Sequence, residues 1–217
     1  TWTRWMALEE SARRLASAEV RTIDVGMCNR RPFLLWAGAG LDAFIVHRIE
    51  PRQRWEKHLA VVHYVASSVW SASQWHGMNL RITADGRQIS GRFLLGVVSN
   101  VRLYAGGYAK LSPNAQLDDG KMDFWLFKGE SPADTVNLAW ELLSGSHSHS
   151  EKVMQIGFNH LRLESDQQMY LQLDGEPFET AAGAEIFVQP QALRVLIPHS
   201  TPASLFSRPA GPGLEPE

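Results

Sequence analysis

About ten short apolar runs, each closed by turn residues and set against two or three helical stretches that do not alternate with them, limit this chain most. A parallel sheet needs a helix between successive strands, so that pattern disfavours a doubly wound fold. The expected fold class is α+β, mainly antiparallel β, with two or three helices. Val20 to Cys28 and Pro32 to Ala39 flank the polar Asn29-Arg30-Arg31 as strand, turn, strand. Met78, Leu80, Ile82 and Ala84 alternate with polar partners and run into Asp85-Gly86, the dipeptide of a tight hairpin. Phe93 to Val98 and Lys121 to Phe127 follow as strands. Val153 to Ile156, Leu161 to Leu163, Met169 to Leu173, Ile186 to Val188 and Leu193 to Ile197 predict a C-terminal meander. Helical spacing appears over residues 5–18 and over 52–73, the longest helix expected. A third helix starts at Ser131-Pro132-Ala133-Asp134, with a capping Ser, a first-turn Pro and an acid at N3, and runs to about Ser144.

Composition narrows the function classes. With 44% hydrophobic and 20% charged residues in 217, the chain can bury a sizeable core, which excludes wholesale disorder. Twenty-one basic against 23 acidic side chains lack the basic excess of a nucleic-acid binder. The lone Cys28 excludes an internal disulfide and a Cys-based zinc site, and leans towards a reducing cytoplasm. The longest apolar run, Phe33 to Val46, is interrupted by Gly38, Gly40 and Asp42, so no bilayer-spanning helix is expected. Residues 1–200 form the expected domain. Residues 201–217 hold four of the 11 prolines and are expected to be a flexible, dispensable tail. The start at Thr1-Trp2, with neither Met nor leader, suggests a piece of something longer.

Several short strings carry chemistry. Gly38-Ala39-Gly40-Leu41-Asp42-Ala43 has the form of a dinucleotide loop, but Phe44-Ile45-Val46 are poor helix formers and Pro51 follows closely. A tight strand bend is the expected reading there. Asn114 to Asp123 places Asp118, Asp119 and Asp123 around Gly120, which suits a hard cation and equally suits a plain turn. Asp174-Gly175-Glu176 puts two acids at a hairpin tip, where both are expected to be solvated. Adjacent Gly106 and Gly107 relieve a crowded turn, His147-Ser148-His149 reads as a solvated loop, and Trp140 reads as core.

Taken in order, these strings resemble the second domain of the diacylglycerol kinase and sphingosine kinase superfamily, above all its bacterial soluble lipid kinases. The matching pieces begin with Ile23-Asp24-Val25-Gly26, Gly38 to Ala43, Lys57-His58-Leu59-Ala60 and Val97-Val98-Ser99-Asn100. They continue with Gly106-Gly107, Pro113-Asn114-Ala115 through Asp119-Gly120 to Asp123, Gly145-Ser146-His147, Asp174-Gly175-Glu176 and Pro190 to Pro198. The resemblance implies a β-sandwich-like domain beside a nucleotide-binding domain, with phosphoryl transfer in the cleft between them. It implies Mg2+ held by the Asp119 side chain and by backbone oxygens of Gln116 and Lys121. Glu176 is then the candidate general base for a lipid hydroxyl, Asp174 a phosphate-site or metal-network partner, and Arg54 and Lys57 face the phosphates of ATP. The acyl chain is expected in the apolar interior between sheets.

The family's Gly-Gly-Asp-Gly-Thr nucleotide loop does not occur in these residues, and its usual helix Gly is Ala60 here. The N-terminal nucleotide-binding domain is therefore expected to be absent from this chain, which should not turn over alone. An Asp of that loop is the alternative base. The implied partners are a lipid alcohol, the nucleotide-binding domain and, transiently, a membrane surface, with peripheral cytoplasmic localisation and no nucleic acid; a homodimer is left open. The rivals are a non-catalytic lipid-binding or regulatory module and a dinucleotide-binding oxidoreductase.

Overall fold

A computed structural model describes residues 8–49, 75–129, 131–180 and 183–209. The first element is α1 (Leu8–Ala16), where Glu9 and Glu10 pair with Arg13 and Arg14 one turn on. Then come β1 (Glu19–Cys28), β2 (Arg31–Phe33), β3 (Trp36–Gly40), α2 (Leu41–Ile49), β4 (Met78–Ala84) and β5 (Arg87–Ser99). They are followed by β6 (Met122–Lys128), α3 (Pro132–Ser144), β7 (Val153–Phe158) and β8 (His160–Ser165). The last three strands are β9 (Met169–Leu173), β10 (Glu176–Thr180) and β11 (Ala184–Ile197). The expected helix over 52–73 lies outside the described residues.

All the strands join one curled antiparallel sheet in the order β10-β9-β3-β5-β4-β8-β11-β1-β2, with β6 and β7 branching from β5. The branch arises because β5 is long. Its first half pairs with β4, while its second half runs between β3 and β6. The C-terminal strands are not a meander, since β7 pairs β6, β8 pairs β4 and β11, and β9 pairs β3. The two runs expected at 186–188 and 193–197 are one strand, and β10 was not foreseen because Glu176-Pro177 reads as turn rather than strand.

Alternation along β6 builds two cores. Met122, Phe124 and Leu126 face the inside of the curled sheet with Phe93, Phe158 and Leu163. Trp125 and Phe127 face the other way, beneath Leu138 and Leu142 of α3. That helix begins as expected: the Ser131 hydroxyl accepts from the Asp134 amide, and the Asp134 carboxylate accepts from the Ser131 amide. Gly145 closes it in the left-handed conformation, φ 75°. Trp140 is exposed on α3 rather than core.

A helix does open after Gly40, against expectation. Leu41, Ala43, Ile45 and Val46 are all buried, and that burial outweighs the weak propensity of Phe44-Ile45-Val46. The dinucleotide reading still fails, because β3 has antiparallel neighbours on both sides and no βαβ unit forms. A Cβ at Gly38 would lie 2.2 Å from Asp42 Oδ2, so this β3 glycine makes room for a side chain of the helix that follows it.

Residues 201–209 are not a loose tail. Ala203–Leu205 form a 3-10 turn, Phe206 is buried, and the Leu117 amide donates to the Leu205 carbonyl. Arg102 donates to the Ser204 hydroxyl and carbonyl. Among the described residues no helix is long and apolar enough to cross a membrane.

Candidate functional site

The acidic loop at 114–121 is organised by an aspartate from the other end of the sequence. Asp24, fully buried on β1, receives the Gly120 amide at 2.6 Å and the Gln191 amide at 2.8 Å on its two oxygens, and its own amide donates to the Leu117 carbonyl. Burial raises the Asp24 pKa; the two amides oppose the rise, and the neighbouring Asp119 and Asp118 charges add to it. β1 and β11 change register between Ile23 and Val25, and Gln191 has φ 50°, which leaves both groups free to turn to this loop.

Asp118 is buried too, its oxygens receiving the amides of Ser207 at 2.5 Å and Arg208 at 3.2 Å. Asp119 is exposed and, among the described residues, receives only the Lys121 amide, at 3.0 Å. Gly120, at φ 78°, takes a left-handed bend that a side chain would strain. Asn159 donates to its carbonyl from the far side.

The second acidic bend joins β9 to β10. Asp174 and Gly175 both have positive φ, 50° and 90°, the tight-hairpin geometry that Asp-Gly favours. The Asp174 carboxylate is not an idle solvated acid. It receives three consecutive amides, Leu34 at 2.7 Å, Leu35 at 2.8 Å and Trp36 at 3.0 Å, and so fixes the passage from β2 to β3. Gln172, buried one turn of strand earlier, accepts from the Gly175 amide at 2.7 Å and donates to Asp42 Oδ2 at 2.6 Å. Burial raises the Asp42 pKa, opposed by hydrogen bonds from Tyr104 and Gln172. Glu176 opens β10 opposite Leu173, exposed, with no hydrogen bond or ion pair to another described residue.

A buried asparagine joins the two bends. Asn100 Nδ2 donates to the Asp24 carbonyl at 3.1 Å and to the Leu34 carbonyl at 3.0 Å, and the Asn100 amide donates to the Leu35 carbonyl. A continuous chain therefore runs from Gly120 through Asp24, Asn100 and Leu34 to Asp174. The Asn100 Oδ1 is buried with no hydrogen-bond partner among the described residues. None of Asp24, Asn100, Gln172 and Asp42 was singled out from sequence as a site residue. Asp24, Asp42 and Asn100 stand in strings that carry the resemblance, and the signal in the residues themselves is a polar side chain inside an apolar strand, as in Ile23-Asp24-Val25 and Leu171-Gln172-Leu173.

The donor set suits a hard cation only through backbone oxygens. Among the described residues no three His, Cys, Asp or Glu side chains gather as a metal cage. Hydrogen bonds occupy the carbonyls of Leu117, Asp118 and Gly120, and none among the described residues uses those of Gln116 or Lys121. One exposed carboxylate with peptide oxygens is a set that magnesium accepts. The Gln116 side chain is otherwise engaged, donating to the Phe206 carbonyl. Arg54 and Lys57 lie outside the described residues.

Two expectations are corrected here. The interior of the curled sheet, lined by Cys28, Ala39, Phe124, Leu171 and Ile186, holds a void of about 10 Å³, room for one water and not for an acyl chain. His147 is buried rather than solvated, because Nε2 lies 2.9 Å from the Leu111 carbonyl and the ring meets Trp125 edge-on.

Comparison with known proteins places this geometry. Residues 36–197 match the model of the YegS C-terminal NAD kinase beta sandwich-like domain. A Pseudomonas aeruginosa protein named "Probable lipid kinase YegS-like" is 29% identical over 192 residues, covering 88% of this chain and 62% of the relative. A diacylglycerol kinase of Bacillus subtilis is 24% identical over 167 residues, covering 77% of this chain and 54% of the relative. A solved diacylglycerol kinase from Bacillus anthracis superposes with a TM-score of 0.60 at 18% identity, covering 88% of this chain and 59% of that one. The chain thus spans less than two thirds of the length of these relatives.

Proposed function

Because the chain belongs to the family of YegS C-terminal, NAD kinase beta sandwich-like domains, we propose that it is the acceptor-side and metal-loop domain of an ATP-dependent lipid kinase. The enzyme transfers the γ-phosphoryl group to a lipid hydroxyl, on diacylglycerol or a sphingoid-like alcohol, when this domain closes on a nucleotide-binding domain. Alone, the chain is inactive. The supporting observation is the hydrogen-bonded chain Gly120–Asp24–Asn100–Leu34–Asp174, which ties two acidic bends distant in sequence into one rigid wall.

The roles follow from which carboxylates are committed. Asp24, Asp118 and Asp174 hold backbone amides, so they shape the wall. Asp119 remains as the carboxylate for Mg2+, with the carbonyls of Gln116 and Lys121. When bound, the cation neutralises phosphate charge as it shifts during transfer. Glu176 is the general base, taking the proton of the lipid hydroxyl on its carboxylate while the oxygen attacks the γ-phosphorus and the bond from that phosphorus to the β–γ bridging oxygen breaks, its electron pair leaving with ADP. Asp174 serves that step by fixing the turn. The aspartate of the partner domain's nucleotide loop is the alternative base. Arg54 and Lys57, outside the described residues, are the proposed cationic partners of the ATP phosphates. Because the sheet interior is filled, the acyl chain lies along the cleft or in the membrane, with the enzyme peripheral to it on the cytoplasmic side.

Phosphoryl transfer from ATP to diacylglycerol vesicles tests the reading. The chain joined to its nucleotide-binding domain should turn over, and the 217-residue chain alone should not. Equal rates from the two would refute the division of labour. A non-catalytic lipid module would leave both silent.

A further inference from the structure

An open recess of about 300 Å³ lies between β1, β11 and residues 206–209, bounded by Arg21, Thr22, Asp118, Gln191, Arg194 and Arg208. Arginines from three separate segments line it. Arg21 is held in place: it pairs with Glu19 at 2.6 Å, donates to the Arg208 carbonyl at 2.9 Å and stacks 4.3 Å above the Phe206 ring. Arg194 lies across from Thr22 in the β1–β11 register. The Arg194 and Arg208 guanidiniums are exposed and make no hydrogen bond or ion pair with another described residue.

Two acids also face this place. Glu19 is paired with Arg21, and the oxygens of Asp118 are turned to the Ser207 and Arg208 amides, which offsets their repulsion of an anion. Counted as charges, three arginines against Glu19 and Asp118 leave one positive charge, carried by the two open guanidiniums. Guanidinium forks match tetrahedral phosphate oxygens in pairs, and the Thr22 hydroxyl adds a neutral donor.

We propose that this recess is a binding site for a phosphate group, gripped by Arg194 and Arg208 beside the fixed Arg21. Its wall is Asp118, the residue before the proposed magnesium ligand, so an occupant leans on the backbone that carries Asp119. The inference stands on this arrangement and is independent of the kinase reading. The group can come from free phosphate or from a phospholipid headgroup, since both present the same oxygens.

Calorimetry of the 217-residue chain with inorganic phosphate in EDTA tests the site, with vesicle co-sedimentation separating the two sources. Phosphate should bind, with affinity about tenfold weaker in the Arg194→Gln/Arg208→Gln double variant and unchanged in Asp119→Asn. Both arginines are exposed, so the double variant should keep its melting temperature. Retention by phosphatidic acid vesicles but not phosphatidylcholine vesicles, lost in the double variant, assigns a headgroup; phosphate binding without retention assigns the soluble ion. Absence of both, or binding that survives the double substitution, or binding lost in Asp119→Asn, overturns the proposal.

Discussion

The chain contains two Asp-Gly hairpin tips of closely similar local design, and only one carries the proposed general base. At the β4–β5 tip, Asp85 and Gly86 have φ of 45° and 83°, and the Asp85 carboxylate receives the amides of Asn159 and His160. At the β9–β10 tip, Asp174 and Gly175 have φ of 50° and 90°, and the carboxylate receives three amides. In both, the aspartate closes its own turn and pins a neighbouring segment. The tips differ in the next residue, Arg87 against Glu176, and in what the pinned segment touches. The 174 tip reaches Asn100 through Leu34, whereas the 85 tip reaches the outer side of Gly120 through Asn159. An acid at a turn is therefore first a piece of fold, and a chemical role has to be sought in the neighbouring carboxylate left unengaged.

The sharpest way to break that comparison is Glu176→Gln in the two-domain enzyme. A general base lost should lower kcat by about 10²-fold or more, with stability changed by less than about 0.5 kcal/mol. Arg87→Gln at the twin tip should change neither. A rise in KM alone would demote Glu176 to positioning.

Next in size is the cost of removing the turn carboxylates themselves. Asp174→Ala should lower unfolding free energy by about 2 kcal/mol in urea titrations, and Asp85→Ala by about 1.5 kcal/mol, because three amides against two lose a charged acceptor. An Asp174→Ala chain as stable as the parent would show that those amides are equally content with water.

The loop that both tips approach gives the third test. Asp119→Asn should weaken magnesium binding about tenfold by calorimetry, and Asp123→Asn should leave it nearly unchanged, since only the former carboxylate stands outside the strand. Equal losses would remove Asp119 as the ligand.

The smallest effect concerns Asp42, which steadies the 174 tip through Gln172. Its pKa is raised by burial, so the folded state holds this proton more tightly than the unfolded state does. That contribution is greatest in acid and is lost as pH climbs from the ordinary value of 3.8 through the raised one. Asp42→Asn should flatten the fall in melting temperature over that window. An unchanged slope would place the titration elsewhere.

Legibility from sequence tracked how local the cause was. The Asp85-Gly86 hairpin, the alternation of β4 and the Ser131 capping box depend on residues within a few positions, and they stand where the pattern puts them. The α2 helix, the burial of His147 and the docking of residues 203–206 depend on partners far along the chain, so propensity and polarity misread them. The site divides the same way. Both acidic bends were visible as strings, but the commitment of Asp174 to Leu34–Trp36 is a contact 138 to 140 residues long, and that of Asp24 to Gly120 spans 96. No spacing rule reports such a contact.

The adjacency of the two bends is tested most directly by a nitroxide placed on the acidic loop. Asp119→Cys offers an exposed attachment point, while Cys28, fully buried, stays unlabelled. Paramagnetic broadening should then erase the amide signals of Leu34 to Trp36 and of Asp174 to Glu176. Full intensity at those amides would contradict a shared wall and leave the acidic bends as two unrelated turns.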